Sequence, residues 1–212
     1  MPTRALIFDL DEALLDRRRA WQYAVEESIA AVCGERVSAG DLVAEYRLRP
    51  WSHALSILVR ERQQQIRCED ACVAMYERSA MKRLLVHEGI GMGLDRVRAQ
   101  RVEMGAISRE PHRIAIRQIE STGLDRFLSV LSPTPAGAAW NPVERLLECC
   151  SFLQRATDEV VFVGCNPLDL DALQQAGVPS VLAAYTGCDP GDIRAIQSPA
   201  GLVELLAGLK SR

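Results

Sequence analysis

Asp9 and Asp11 are the residues whose type and spacing most directly suggest chemistry. They sit in LIFDLDEALLD, residues 6–16, where an apolar run that reads as a buried strand ends on one carboxylate, delivers a second two positions later and places a third acid, Glu12, directly after it. Carboxylates gathered at a strand end raise the question of a phosphate-handling site, working or the remains of one. Other reactive types are scattered. His53, His87 and His112 fall near no serine or cysteine in a triad pattern and read as surface or packing residues. Cys165 reads as a reactive thiol or, more ordinarily, as a small buried hydrophobe. Cys68 and Cys72 lie four apart on a predicted helix, a spacing that can face a metal but commonly just packs. Arg17, Arg18 and Arg19 form a solvated basic face or, alternatively, meet an anionic substrate.

Such residues need a scaffold to bring them together. Five short segments rich in branched residues, RALIFDL, VEMGAIS, FLSVLS, EVVFVG and PSVLAAY, read as strands buried on both faces. Helical patterns separate the last four, so this part of the chain alternates strand and helix as a doubly wound α/β sheet does, with right-handed crossovers. Pro111 and Gly123 bracket one helix, Pro142 opens the next, and Asn166 and Gly177 cap and stop a third. The last helix opens at Ser198. Residues 17–86 carry no convincing strand. Trp21, Val25, Ile29 and Val32 recur there at helical spacing, Ser38 and Asp41 resemble a capping box, and further helices follow from Trp51. This predicts an all-helical insertion, with residues 1–16 and 87–212 forming the core.

Composition bounds the function. At 212 residues the chain can bury a substantial core, and 48% hydrophobic residues with 25% charged and a formal net charge of -3 describe a globular protein without the basic balance that nucleic acid demands. No signal-peptide pattern is visible and no apolar stretch approaches the roughly 18 residues that span a bilayer, so a cytoplasmic location is the expectation. Seven cysteines without Cys-x-x-Cys spacing fit reduced thiols. Lysines are limited to Lys82 and Lys210, all other basic residues being arginines.

A first strand ending in Asp-x-Asp, a helical insertion of this length and a doubly wound core resemble the haloacid dehalogenase superfamily, in its helical-cap branch. Phosphoglycolate phosphatases and β-phosphoglucomutases share this layout. The resemblance covers essentially the whole chain and implies a parallel five-stranded sheet in the order 5-4-1-2-3, with a ligand cleft at the carboxyl ends of the strands, between cap and core. It also implies roles. Asp9 is the nucleophile that forms an aspartyl phosphate and Asp11 the acid that protonates the leaving group. Ser108, ending the second core strand, holds a phosphoryl oxygen. Mg²⁺ is the cofactor, with Asp9, the carbonyl of Asp11 and Asp169 on the metal side.

The family pattern is met unevenly. Its first motif reads Asp-x-Asp-Gly-Thr, and Glu12 and Ala13 stand where the glycine and threonine belong. Its lysine position falls on Ala139, beside Trp140, whose indole is expected to fill the vacated space; Arg109 or Arg113 is the nearest replacement cation, although a guanidinium fork differs from an ammonium. Its metal-binding aspartate falls on Cys165, a poor ligand for a hard cation, with Asp169 or Asp171 left to support a metal. A phosphate dianion about 4 Å from Asp9 is repelled by roughly 4 kcal/mol at an effective dielectric of 20. These departures imply a fold with degraded phosphatase machinery, a pseudoenzyme that binds a phosphorylated metabolite or a protein partner. The alternative is an active Mg²⁺-dependent phosphatase of small phosphoesters. Neither nucleic acid nor membrane is an expected partner.

Overall fold

A short apolar run with no polar break forms a strand that tolerates cover on both faces. The first such run is β1 (Ala5–Asp9), buried at every residue. The computed structural model describes residues 3–45 and 52–209; Trp51 and Lys210 lie outside them. β1 runs into a one-turn π-type helix, Leu10–Leu14, and a two-residue strand, β2 (Leu15–Asp16). The helices α1 (Arg18–Cys33), α2 (Gly40–Glu45), α3 (Ser52–Leu58) and α4 (Arg62–Arg78) lead to β3 (Leu85–Val86), which pairs with β2. After α5 (Ile90–Ala99) the chain alternates: β4 (Glu103–Ser108), α6 (His112–Thr122), β5 (Val130–Pro133), α7 (Pro142–Leu153), β6 (Val160–Gly164), α8 (Pro167–Gln175), β7 (Ser180–Ala183), β8 (Ala195–Ile196) and α9 (Gly201–Leu209).

The main sheet is parallel, in the order β5-β4-β1-β6-β7-β8. Its first five strands have the expected neighbours, and β1 is central. A sixth strand replaces the expected edge: β8 pairs through Leu182↔Ala195 and Ala183↔Ile196, and two residues are too few for an alternating pattern to show. The β2–β3 pair likewise puts a strand, β3, in the range 17–86 where an all-helical insertion was expected.

By its internal packing the chain divides into two compact units, Met1–Leu15 with Val86–Arg212, and Asp16–Leu85. In the first, alternate residues of β1 enter different cores. Leu6 and Phe8 join Leu94 and Val97 of α5, Ala115 and Ile119 of α6 and Leu205 of α9. Ala5 and Ile7 join Leu146, Cys149 and Leu153 of α7 and Leu170 and Leu173 of α8. The helix α5 has no clear signal in the sequence, since Gly91 and Gly93 lower its propensity. Gly93 is explained by packing: a Cβ there would stand 2.8 Å from the Pro199 carbonyl oxygen ahead of α9. Asn141 and Asn166 cap α7 and α8 by accepting from the amides of Glu144 and Leu168.

In the second unit α1 packs on α4. Trp21 stacks on Tyr76 with ring centroids 3.8 Å apart, and the Arg83 guanidinium lies 3.6 Å from the Tyr23 ring centroid. Cys68 and Cys72 are buried between these elements as packing residues, and burial pushes the Cys72 thiol up to about 12. Arg17 departs from the expected solvated face: it is buried, while Arg18 is exposed and pairs with Asp16 and Arg19 is exposed.

Candidate active site

The carboxyl end of β1 sets the geometry. The chain passes from extended backbone at Asp9 directly into the Leu10–Leu14 turn, whose first amides lack partners inside it. Asp9 supplies one: its Oδ1 accepts from the Asp11 amide at 2.9 Å and the Glu12 amide at 3.3 Å. Among the described residues nothing donates to its Oδ2. The turn holds no residue of positive φ, so Glu12 replaces a glycine without backbone strain. Ala13 is buried beneath it.

Asp11 points across the sheet to the end of the neighbouring β4. Ser108 Oγ donates to its carboxylate at 3.0 and 3.2 Å, and the Arg109 amide donates to its Oδ2 at 2.6 Å. Ser108 Oγ in turn accepts from the Glu110 amide at 3.0 Å, while Thr134 donates through both its amide and its hydroxyl to the Ser108 carbonyl. The strand end is thus held from two sides. From the same corner the Arg109 side chain crosses to Asp169, in the first turn of α8, and donates to its Oδ2. Trp140 completes the group. Its Nε1 donates to Asp169 Oδ1 at 3.1 Å and its ring lies 4.4 Å from the Arg109 guanidinium carbon, a cation–π contact.

The structure therefore gathers Asp9, Asp11, Glu12, Ser108, Arg109, Trp140 and Asp169. Ala139 is exposed, Asp171 is on the exposed side of α8 with Gln175 as its partner, and Arg113 is exposed on α6. Cys165 lies immediately after β6 and is fully buried. It forms a disulfide with Cys188 across 23 residues, with Cα atoms 6.4 Å apart, where reduced thiols were expected. The pairing is between residues distant in the chain and without motif spacing, so nothing local announced it.

Two residues escaped the sequence reading: the Tyr185 hydroxyl donates to the Ala13 carbonyl at 2.8 Å, and Thr134 anchors Ser108. His87, read there as a surface or packing residue, places Nε2 2.9 Å from the Glu12 carbonyl. His87 and Tyr185 support the turn that carries the carboxylates, and their rings meet edge to face at 5.9 Å. Their partners are 75 and 172 residues away, beyond the reach of any local pattern.

Electrostatics mark Asp9. Burial first, and then the Asp11 carboxylate, push its pKa from 3.8 up to about 7; the Arg109 guanidinium opposes them, and Glu12 and Asp169 add to the rise. Burial, with Asp9 second, raises the Tyr185 phenol.

A hard divalent cation needs several oxygen donors turned toward one point. Both oxygens of Asp169 face N–H donors, and the residue at the family's metal-aspartate position is a disulfide sulfur. Among the described residues no three His, Cys, Asp or Glu side chains are placed to hold a metal ion. The residues present do not fit Mg²⁺ as the family binds it.

Residues 6–183 match the sequence model of a family described as haloacid dehalogenase-like hydrolase. A phosphoglycolate phosphatase of Cupriavidus necator is 30% identical over 125 residues, a stretch that is 58% of this chain and 54% of that protein, so the match spans about half the length of this curated relative. Solved structures of the same fold include a HAD-superfamily hydrolase, subfamily IA, variant 1, from Geobacter sulfurreducens, with TM-score 0.80, 18% identity and 96% of each chain covered. Another is a hydrolase of the haloacid dehalogenase-like family from Streptococcus pneumoniae, with TM-score 0.81, 13% identity and 97% of this chain and 98% of that one covered. Among the described residues no helix is long and apolar enough to cross a membrane.

Proposed function

The chain belongs to the haloacid dehalogenase-like hydrolases, and from that premise we propose that it hydrolyses small phosphoric monoesters through a phosphorylated Asp9. The observation that carries this reading is the state of Asp9: one carboxylate oxygen is pinned by two backbone amides and the other receives no bond from a described residue. A nucleophile held in this way needs little reorganisation before attack.

The steps follow from the neighbours. Asp9 Oδ2 attacks phosphorus, the ester oxygen leaves and takes a proton from Asp11, and inorganic phosphate forms when water, giving its proton back to Asp11, attacks the phosphorus of the aspartyl phosphate. Ser108 and the Arg109 amide orient Asp11 for both transfers. Arg109 brings positive charge to the site, which opposes the repulsion between a phosphate dianion and Asp9. Phosphatases of the family generally use Mg²⁺.

The matched relatives favour turnover over a stripped, binding-only site, since the curated one is a phosphatase. A phosphorylated small molecule is accordingly the proposed substrate class. The test is a panel of small phosphoesters assayed for released phosphate with the native chain and with Asp9→Asn. Turnover on at least one ester, lost with the substitution, is the expected result. No turnover across the panel, or equal turnover by Asp9→Asn, contradicts the proposal.

A further inference from the structure

The cluster around Asp169 contains more donors than a metal site can use. Asp169 receives the Arg109 guanidinium on Oδ2 and the Trp140 indole N–H on Oδ1, and Asp11 receives Ser108 Oγ and the Arg109 amide. N–H and O–H groups present positive hydrogens, so the carboxylates of Asp11 and Asp169 are already hydrogen-bonded from the protein side. At the remaining position, Cys165 is closed in a disulfide with Cys188. Arg109 itself is held at three points: its amide on Asp11, its guanidinium on Asp169, and its flat face against the Trp140 ring. That restraint removes much of the side-chain freedom an arginine loses on binding a ligand. Among the described residues its Nε and Nη1 donate to nothing, so N–H groups remain for an incoming oxyanion.

We infer that Arg109, clamped by Trp140 and Asp169, is the resident cation of this site, and that the chain takes phosphate-type anions without a divalent metal. The inference rests on the phosphate reading above for the identity of the anion and goes beyond it by replacing the family's metal with a side chain. Arginine suits the task because it stays charged at any working pH and binds phosphoryl oxygens by charge-assisted hydrogen bonds. The contact with Asp169 fixes the guanidinium without consuming all five of its N–H groups.

The test is calorimetric titration of the full-length protein with inorganic phosphate, once in EDTA and once in excess Mg²⁺, together with Arg109→Gln and Arg109→Lys in EDTA. Native protein is expected to bind phosphate in EDTA with a Kd within about threefold of its value in Mg²⁺. Loss of a charge-assisted bond makes Arg109→Gln weaker by about tenfold or more. Arg109→Lys, which keeps the charge but not the fork, is expected to fall between. Binding by the native protein only when Mg²⁺ is present overturns the inference and leaves the phosphate reading standing. Binding in neither condition overturns both. Unchanged binding by Arg109→Gln overturns the role of this residue, and the comparison of the two native titrations needs no substituted protein to fold.

Discussion

Asp9 is the proposed nucleophile; a carboxylate at the end of a buried central strand is desolvated, and it is then further opposed by Asp11. The sign of its effect on stability follows. Below pH 3.8 the carboxyl is protonated in both folded and unfolded chains. Between 3.8 and about 7 the unfolded chain has released the proton that the folded one keeps, so stability falls as pH rises and levels off above 7. At ~1.36 kcal/mol per pH unit the total is roughly 4 kcal/mol. Urea unfolding of native protein and Asp9→Asn from pH 4 to 8 is expected to show the native protein losing ground to the variant across that window and no further above it. The same ionisation places the acid limb of kcat/KM near 7, since only the ionised carboxylate attacks. A stability difference that is flat with pH contradicts this account of the residue. At this scale the sequence was informative where a residue's role is local: Asp9 and Asp11 stand out at a strand end, and the family resemblance added Ser108. His87 and Tyr185 do not stand out, because what they do is bond to backbone carbonyls of a turn far away in the chain.

Elements were legible to the degree that they repeat a period. The five longer strands and the helices with proline starts or glycine stops were recoverable from spacing and caps, whereas β2, β3 and β8, two residues each, carry no period to read. The helix α5 was hidden because its two glycines lower propensity, and only Gly93 is explained by packing against Pro199 and α9. The connection after β7 holds the other surprise. Cys188 lies beyond the Ala184–Thr186 turn and ties that segment to Cys165 at the end of β6, while Tyr185 of the same segment bonds to the Ala13 carbonyl. Thiol titration of the unreduced, denatured protein is expected to find five reactive cysteines, Cys33, Cys68, Cys72, Cys149 and Cys150. Reduction is expected to cost about 2–4 kcal/mol in urea unfolding, as for loops of this size. Seven thiols without reductant contradict the bond.

At the scale of the molecule, a doubly wound sheet brings its strand ends to one edge, and the two strands flanking β1 place Ser108 and Cys165 on either side of Asp9. The resemblance named Asp9, Asp11, Ser108, Arg109 and Asp169, and strand ends brought to one edge are what place these residues together. The sequence reading weighed the departures from the family pattern mainly as losses, while naming Arg109 or Arg113 as a replacement cation and Trp140 as a filler of the vacated space. Position by position, Glu12, Ala139 and Cys165 are missing groups; in three dimensions, Arg109, Trp140 and Asp169 form a hydrogen-bonded corner that no single position discloses. Whether that corner serves a working nucleophile is the central claim. The most direct measurement is acid quenching of the protein during turnover of a phosphoester, followed by mass spectrometry of its peptides. The account predicts one added phosphoryl group on the peptide containing Asp9, absent from Asp9→Asn. Turnover with no such adduct, or an adduct on another residue, would contradict it.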